Sequence, residues 1–188
     1  NGLLDLQLRT GLMKILILYF SQTGNTGRIA RAIRDELSSG HEVIMKSIEE
    51  SPVPPVSDFD LLFIGSPCHA GTLAGPIKAF LSELQYGPRY QAAGFVTHAS
   101  PAYNRADYEN CMSYFSSVFE KKKIRYHGSY ECQGNLTQQL HEFLKKSRNI
   151  PDDEWDRMVA EMKNHPDDND ETRAKQFARG VLLSADQR

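Results

Sequence analysis

The stretch from Ile15 to Ile33, ILILYF then SQTGNT then GRIARAI, constrains this chain more than any other. Ile15 to Phe20 form a short continuous run of apolar and aromatic residues, which fits a strand buried on both faces. Ile29, Ala30, Ile33 and Leu37 then recur at helical spacing, so a helix follows. Between strand and helix, Ser21, Thr23 and Thr26 supply hydroxyls, and Gly24 lets backbone approach a ligand closely. The first-turn N–H groups of the helix point back at this loop, and the helix dipole favours negative charge there. The combination makes an anion site suited to phosphate. The other reading is a plain strand followed by a capped helix, with Thr23 or Asn25 as N-cap.

What the loop lacks narrows the ligand. There is no Gly-Lys-Ser/Thr, which removes a nucleoside triphosphatase loop. There is no G-x-G-x-x-G, so the dinucleotide fingerprint is absent. The first basic residue, Arg28, already lies in the helix, so the loop offers neutral donors to a phosphate monoester.

The pattern S-x-T-G-N-T after a first strand resembles the FMN-phosphate loop of the flavodoxin family. That resemblance implies that Ser21, Thr23, Gly24, Asn25 and Thr26 hold the 5′-phosphate, with Gln22 contributing backbone. A second stretch, G-S-P-C-H-A-G-T-L-A-G-P from Gly65 to Pro76, is similar to the flavin-edge loop of the same family. The resemblance would wrap Ser66, Pro67, Cys68, His69, Ala70, Gly71 and Thr72 around the isoalloxazine. Gly71 would permit a peptide flip in answer to a change in flavin protonation, and His69 would lie against the ring or near its reactive edge. A turn glycine and an exposed histidine are the plainer readings. A Cys-x5-Arg phosphatase loop would need arginine where Ala74 stands, so Cys68 is not read as a phosphate nucleophile. The loop after the fourth strand, His98, Ala99 and Ser100 through Tyr103 to Tyr108, takes the place of the second flavin-flanking loop. Tyr103 is the residue to stack on the outer flavin face, Tyr108 the runner-up, and a tyrosine packed at the start of a helix the alternative. Arg105 and His98 make this loop less acidic than the pattern common in electron-carrier flavodoxins.

Along the chain, strands alternate with helices. His41–Ser47, Phe59–Gly65, Gln91–His98 and Ile124–Cys132 read as further strands. Ser66 to Gly75 reads as loop, Pro76 opens a helix carrying Ile77, Phe80, Leu81 and Leu84, and Tyr108–Lys122 is a helix with Met112, Phe115, Val118 and Phe119 on one face. The expectation is an α/β fold: a flavodoxin-like, doubly wound, five-stranded parallel sheet in the order 2-1-3-4-5, with helices on both faces and ligand at the carboxyl ends of the strands. Beyond Cys132, an extra helical segment covers about residues 137–163. It would cover the flavin, form a homodimer interface or fill a surface, and packing or oligomer contact is favoured over catalysis. His165-Pro166-Asp167-Asp168 resembles the lead-in to the last helix of a flavodoxin-like subgroup, with Asp167 or Asp168 as cap.

With 188 residues and 40% hydrophobic content, the chain has the size of one ordinary domain, here residues 13–188. Residues 1–12 read as a leader or upstream extension, and Lys14 with its short apolar run is rejected as a signal peptide. A net charge of −2 argues against nucleic acid as partner. No apolar run is long enough to span a membrane. Cys68, Cys111 and Cys132 are unclustered in sequence, which suggests free thiols in a reducing cytoplasm. No catalytic acid, base or metal set stands out, so redox chemistry would belong to the cofactor. The sequence therefore predicts an FMN-binding, flavodoxin-like protein in electron transfer, serving redox partner proteins or a small-molecule acceptor. An FMN-dependent NAD(P)H:quinone-type oxidoreductase and a flavin-free interaction module on the same fold are the alternatives.

Overall fold

A computed structural model describes residues 11–50, 52–100 and 105–186. Strands β1 (Lys14–Tyr19), β2 (Glu42–Ser47), β3 (Leu61–His69), β5 (Gln91–His98) and β6 (Tyr126–Gln133) form one parallel sheet in the order β2-β1-β3-β5-β6. A two-residue strand, β4 (Thr72–Leu73), pairs antiparallel with the end of β3. Apart from β4 this is the expected order. Helices α1 (Asn25–Leu37), α2 (Gly75–Glu83), α3 (Ala106–Lys121), α4 (Gln138–Arg148), α5 (Asp152–Met162) and α6 (Asp168–Asp186) complete the fold. No helix is long and apolar enough to cross a membrane.

The alternation of side chains along each strand divides the core in two. On one face, Leu16, Leu18, Leu62 and Ile64 pack with Ile77 and Leu81 of α2 and Phe115 and Phe119 of α3. On the other, Ile15, Ile17, Leu61 and Phe63 pack with Ile29 and Ile33 of α1 and Ala174, Ala178 and Val181 of α6. The central strands are therefore apolar at successive positions, as β1 and β3 require when covered on both sides.

Three local expectations are corrected. The segment from Ser66 is not loop: β3 runs on to His69, because Ser66 and Pro67 continue the parallel register against Val96 and Thr97 of β5. The chain then reverses through Ala70 (φ +51°) and Gly71 (φ +78°), a two-residue hairpin turn with both central residues left-handed. The N-cap of α1 is Gly24, in the left-handed region and without a side-chain cap bond, rather than Thr23 or Asn25. The buried face of α3 is Tyr108, Cys111, Phe115 and Phe119, one step round from the face expected with Met112 and Val118, which are only partly buried.

At the far end, the lead-in to α6 is a reciprocal cap. Asp167 Oδ1 accepts from the Asp170 N–H at 2.9 Å, and Asp170 Oδ2 accepts from the Asp167 N–H at 2.9 Å. Of the two capping candidates, Asp167 fills the role. Asp170 is buried and also receives His165 Nδ1 at 2.6 Å and the Arg173 guanidinium. Burial works against its charge, but these bonds outweigh it and hold the carboxyl below its ordinary range. Among the described residues, His165, Asp167 and Asp170 are the one group whose ligand atoms cluster as a cation site would need. Their oxygens are already engaged by these N–H donors, which accounts for the cluster as a helix cap.

Candidate functional site

The site is built at the carboxyl ends of β1, β3 and β5, where the strand order reverses. In the first loop, the Ser21 hydroxyl accepts the Gly27 N–H at 3.2 Å, which folds the loop back over the start of α1. Asn25 Nδ2 donates to Thr23 Oγ1 at 2.9 Å and to the Asn135 carbonyl at 2.6 Å, fastening the loop to the segment after β6. Gly24 sits at φ +87° with no atom within 4 Å of where a Cβ would stand. Gln22, Thr23 and Gly24 are exposed. The Thr26 side chain turns inward, buried, to hydrogen-bond Thr97 of β5. The Arg31 guanidinium lies beside Gly27, 3.7 Å from where a Cβ would stand there. Arg28 points away, to Glu171, Asp168 and the Pro166 carbonyl, and Glu171 holds its guanidinium firmly charged.

The second loop is the β3–β4 hairpin. Ser66 is fully buried; its hydroxyl accepts the Ala74 N–H and donates to the Pro67 carbonyl, each at 2.9 Å, which closes the hairpin base. Pro67 is half-buried, and His69 pairs with Thr72 across the turn. Gly71 lies against α3: a Cβ there would stand 3.2 Å from Asp107 Oδ1. His69 is exposed, and its ring meets Phe20 edge-on at 6.2 Å. Desolvation on the protein side lowers its pKa, so its neutral form is favoured. Cys68 donates from Sγ to the Asp107 carbonyl at 3.6 Å.

The third loop divides. Ala99 and Ser100 face the same cleft as the hairpin. His98 turns the other way: it is buried, its Nε2 lies 2.7 Å from Glu131 Oε2, and its ring stacks on Tyr108 at 4.1 Å. Both rings line a neighbouring cavity beside the edge strand β6, which Ser100 also borders. Tyr108, the runner-up for stacking on a flavin, is thus occupied by His98. Tyr103 lies outside the described residues.

Gln22, Cys68, His69, Ala70, Ala99 and Ser100, drawn from all three loops, line one cleft of about 520 Å³. Its opposite wall was not expected from the loops. It consists of Leu136, Leu140, Leu144, Asn149, Ile150, Pro151, Glu154, Trp155 and Met158, from α4, α5 and their connections. The helical period of Leu136, Leu140 and Leu144, and of Trp155 and Met158, was the only sequence signal for this wall. Trp155 is buried and meets the His141 ring edge-on at 5.5 Å. His141 in turn lies 3.4 Å from Asn135 Oδ1, the residue whose carbonyl holds Asn25. The extra helical pair is therefore a wall of the cleft, tied by Asn135 to the first loop.

The arrangement fits a flat heteroaromatic phosphate ester. The N-cap of α1, Gly24, brings no side-chain cap bond, the Ser21 hydroxyl takes up the Gly27 N–H, and Gly24 leaves space beside the remaining first-turn N–H groups. The cleft beside it joins an apolar wall to polar side chains of Gln22, His69, Ser100, Asp107, Asn149 and Glu154, and its volume falls in the usual range for a small-molecule site.

A family model for the flavodoxin domain matches residues 16–179. A flavodoxin-like domain-containing protein of Clostridioides difficile, BilS, is 27% identical over 186 residues, covering 92% of this chain and 98% of its own. Among solved structures, a WrbA-like flavodoxin from Agrobacterium tumefaciens superposes with a TM-score of 0.63 at 15% identity, covering 93% of this chain and 98% of that one. Oxidised flavodoxin 2 from Bacillus cereus superposes with a TM-score of 0.62 at 19% identity, covering 91% and 99%.

Proposed function

The chain belongs to the flavodoxin family, and from that premise we propose that its cleft binds FMN and that the protein transfers electrons through it. The observation that carries this reading is the convergence of all three strand-end loops on one cleft, with a glycine-capped helix N-terminus beside it. Ser21, Thr23 and the first-turn N–H groups of α1 would hold the phosphate, neutral donors matching a monoester. Cys68, His69, Ala70, Ala99 and Ser100 would flank the ring system. The α4–α5 wall would exclude water from its outer side. FMN, when bound, supplies the redox chemistry. The chain's own contribution is binding, orientation and shielding.

The same wall favours a second reading. Leu140, Leu144, Ile150, Trp155 and Met158 give the cleft an apolar side where a small, flat acceptor would be shielded from water. An FMN-dependent NAD(P)H:quinone-type oxidoreductase fits that shape. A carrier protein fits an open cleft better.

Tryptophan fluorescence tests the first reading directly, because Trp155 is the only tryptophan in the chain and it lines the cleft. FMN titrated into apo-protein should quench it, and riboflavin should need a much higher concentration. Each charge-assisted hydrogen bond to phosphate contributes about 1.5–3 kcal/mol. Equal affinities for FMN and riboflavin, or no quenching by either, would refute the proposed site. NAD(P)H oxidation with and without a quinone then separates enzyme from carrier.

A further inference from the structure

Two of the three cysteines, distant in sequence, are neighbours in space. Cys68, half-buried at the outer end of β3, lines the cleft. Cys111, on α3, is fully buried in the core cluster against which Cys68 packs. The carbonyl that accepts from Cys68 Sγ belongs to Asp107, one helical turn before Cys111 and on the same face of α3. The Cys111 thiol interacts with Cys68, which favours its protonated form. Cys132 lies on the opposite face of the sheet, buried with the α1 and α6 contacts.

We propose that Cys68 and Cys111 are a dithiol–disulfide couple, in which Cys68 exchanges with low-molecular-mass disulfides that reach the cleft and Cys111 resolves the mixed disulfide. The inference rests on these two side chains and concerns the apo-protein, since FMN seated in the cleft would cover Cys68. In the first step the Cys68 thiolate attacks one sulfur of R–S–S–R. That S–S bond breaks, a Cys68–S–S–R bond forms, and the departing thiolate takes up the proton that Cys68 lost. In the second step Cys111 gives its proton to the remaining RS⁻ leaving group as its sulfur attacks Cys68 Sγ. Two protein thiols are oxidised, one external disulfide is reduced, and two RSH are released.

The two positions suit these two roles. Interaction of its S–H with the Cys68 sulfur, together with burial, pushes the Cys111 thiol far above the usual thiol range, so it does not compete for reagents in solution. Once a mixed disulfide forms on Cys68, the attack becomes intramolecular, and proximity replaces intrinsic reactivity. The resulting bond would fasten the hairpin that forms one side of the cleft to α3.

Oxidised glutathione is the probe. The full chain as apo-protein is treated with it, residual thiols are alkylated, and intact mass and peptide mapping are read. Wild type should lose two thiols, retain no glutathione, yield a linked Cys68–Cys111 peptide and leave Cys132 alkylatable only after unfolding. Cys111→Ser should trap one glutathione on Cys68, and Cys68→Ser should leave Cys111 reduced. If Cys111→Ser does not fold, the wild-type map decides alone. A stable glutathione adduct on wild-type Cys68 beside an alkylatable Cys111 would overturn the proposal. So would both thiols remaining reduced at a glutathione ratio that oxidises a reference dithiol peptide.

Discussion

The hydroxyls of Thr26 and Thr97 meet at 2.8 Å, and both residues are buried. This bond joins the first turn of α1 to the end of β5, and so couples the phosphate-type loop to the strand that leads into the third loop. Thr26 fits the S-x-T-G-N-T pattern, yet its side-chain hydroxyl is directed at the sheet. Thr26→Val keeps the shape and orphans the Thr97 hydroxyl, so the apo-protein should lose about 1–3 kcal/mol in urea unfolding. The Thr26→Val/Thr97→Val pair should recover most of it, because replacing both partners of a hydrogen bond is close to neutral. Additive losses in the double variant would mean the two hydroxyls do not act on each other.

Gly24 offers a cleaner probe of the loop. At φ +87° with open space around its missing Cβ, alanine there meets no atom and only the backbone is penalised, by about 1–2 kcal/mol. Gly24→Ala should therefore weaken FMN roughly 5- to 30-fold, with little change for riboflavin, as measured by calorimetry. An equal loss for both ligands would place the effect outside phosphate binding.

Gly71 differs because its left-handed backbone and its surroundings act together. A Cβ would carry the strain of φ +78° and press on Asp107 Oδ1 at 3.2 Å. Gly71→Ala should cost about 1–2 kcal/mol in thermal or urea unfolding. Asn tolerates the left-handed region better than alanine, so Gly71→Asn should recover part of the backbone term but not the crowding at Asp107. A Gly71→Ala variant as stable as wild type would show that the hairpin turn readily adopts another conformation.

Asp170 gives the fold an acid limit. Its carboxyl is held below its ordinary range, so its stabilising effect is complete above the unfolded value of about 3.9. The effect is lost as pH falls through the lower folded value. Wild type should therefore lose stability on acidification below about pH 4. Asp170→Asn should be less stable at neutral pH by about 1–3 kcal/mol and flatter through the acid range. Parallel stability curves for the two proteins, read by urea midpoints against pH, would refute this assignment.

Much of this protein was legible in the sequence because it is local. The strands at Ile15, Leu61 and Gln91 show in short apolar runs, and α1 in the 3.6-residue spacing of Ile29, Ile33 and Leu37. The phosphate reading of the first loop is drawn from residue types within six positions. The parallel order follows from strand–helix alternation and the handedness of its crossovers. A cap at Asp167 or Asp168 needed only a place before a helix, and the bond from the Asp170 N–H selects Asp167. What the tertiary structure alone decided depends on residues far apart in the chain. Ser66 and Pro67 look like loop until Val96 and Thr97 are laid beside them in register. His98 adjoins the cleft in sequence but alternates to the other side of β5, where Glu131 and Tyr108 receive it. The α4–α5 helices carried an apolar period that fitted a cover for the cleft, a dimer interface or a plain surface, and Asn135 ties them to the first loop. Cys68 and Cys111 became a pair only because β3 ends against α3. Periodicity records which side of an element is buried; which distant side chain waits there is set by sheet order and register.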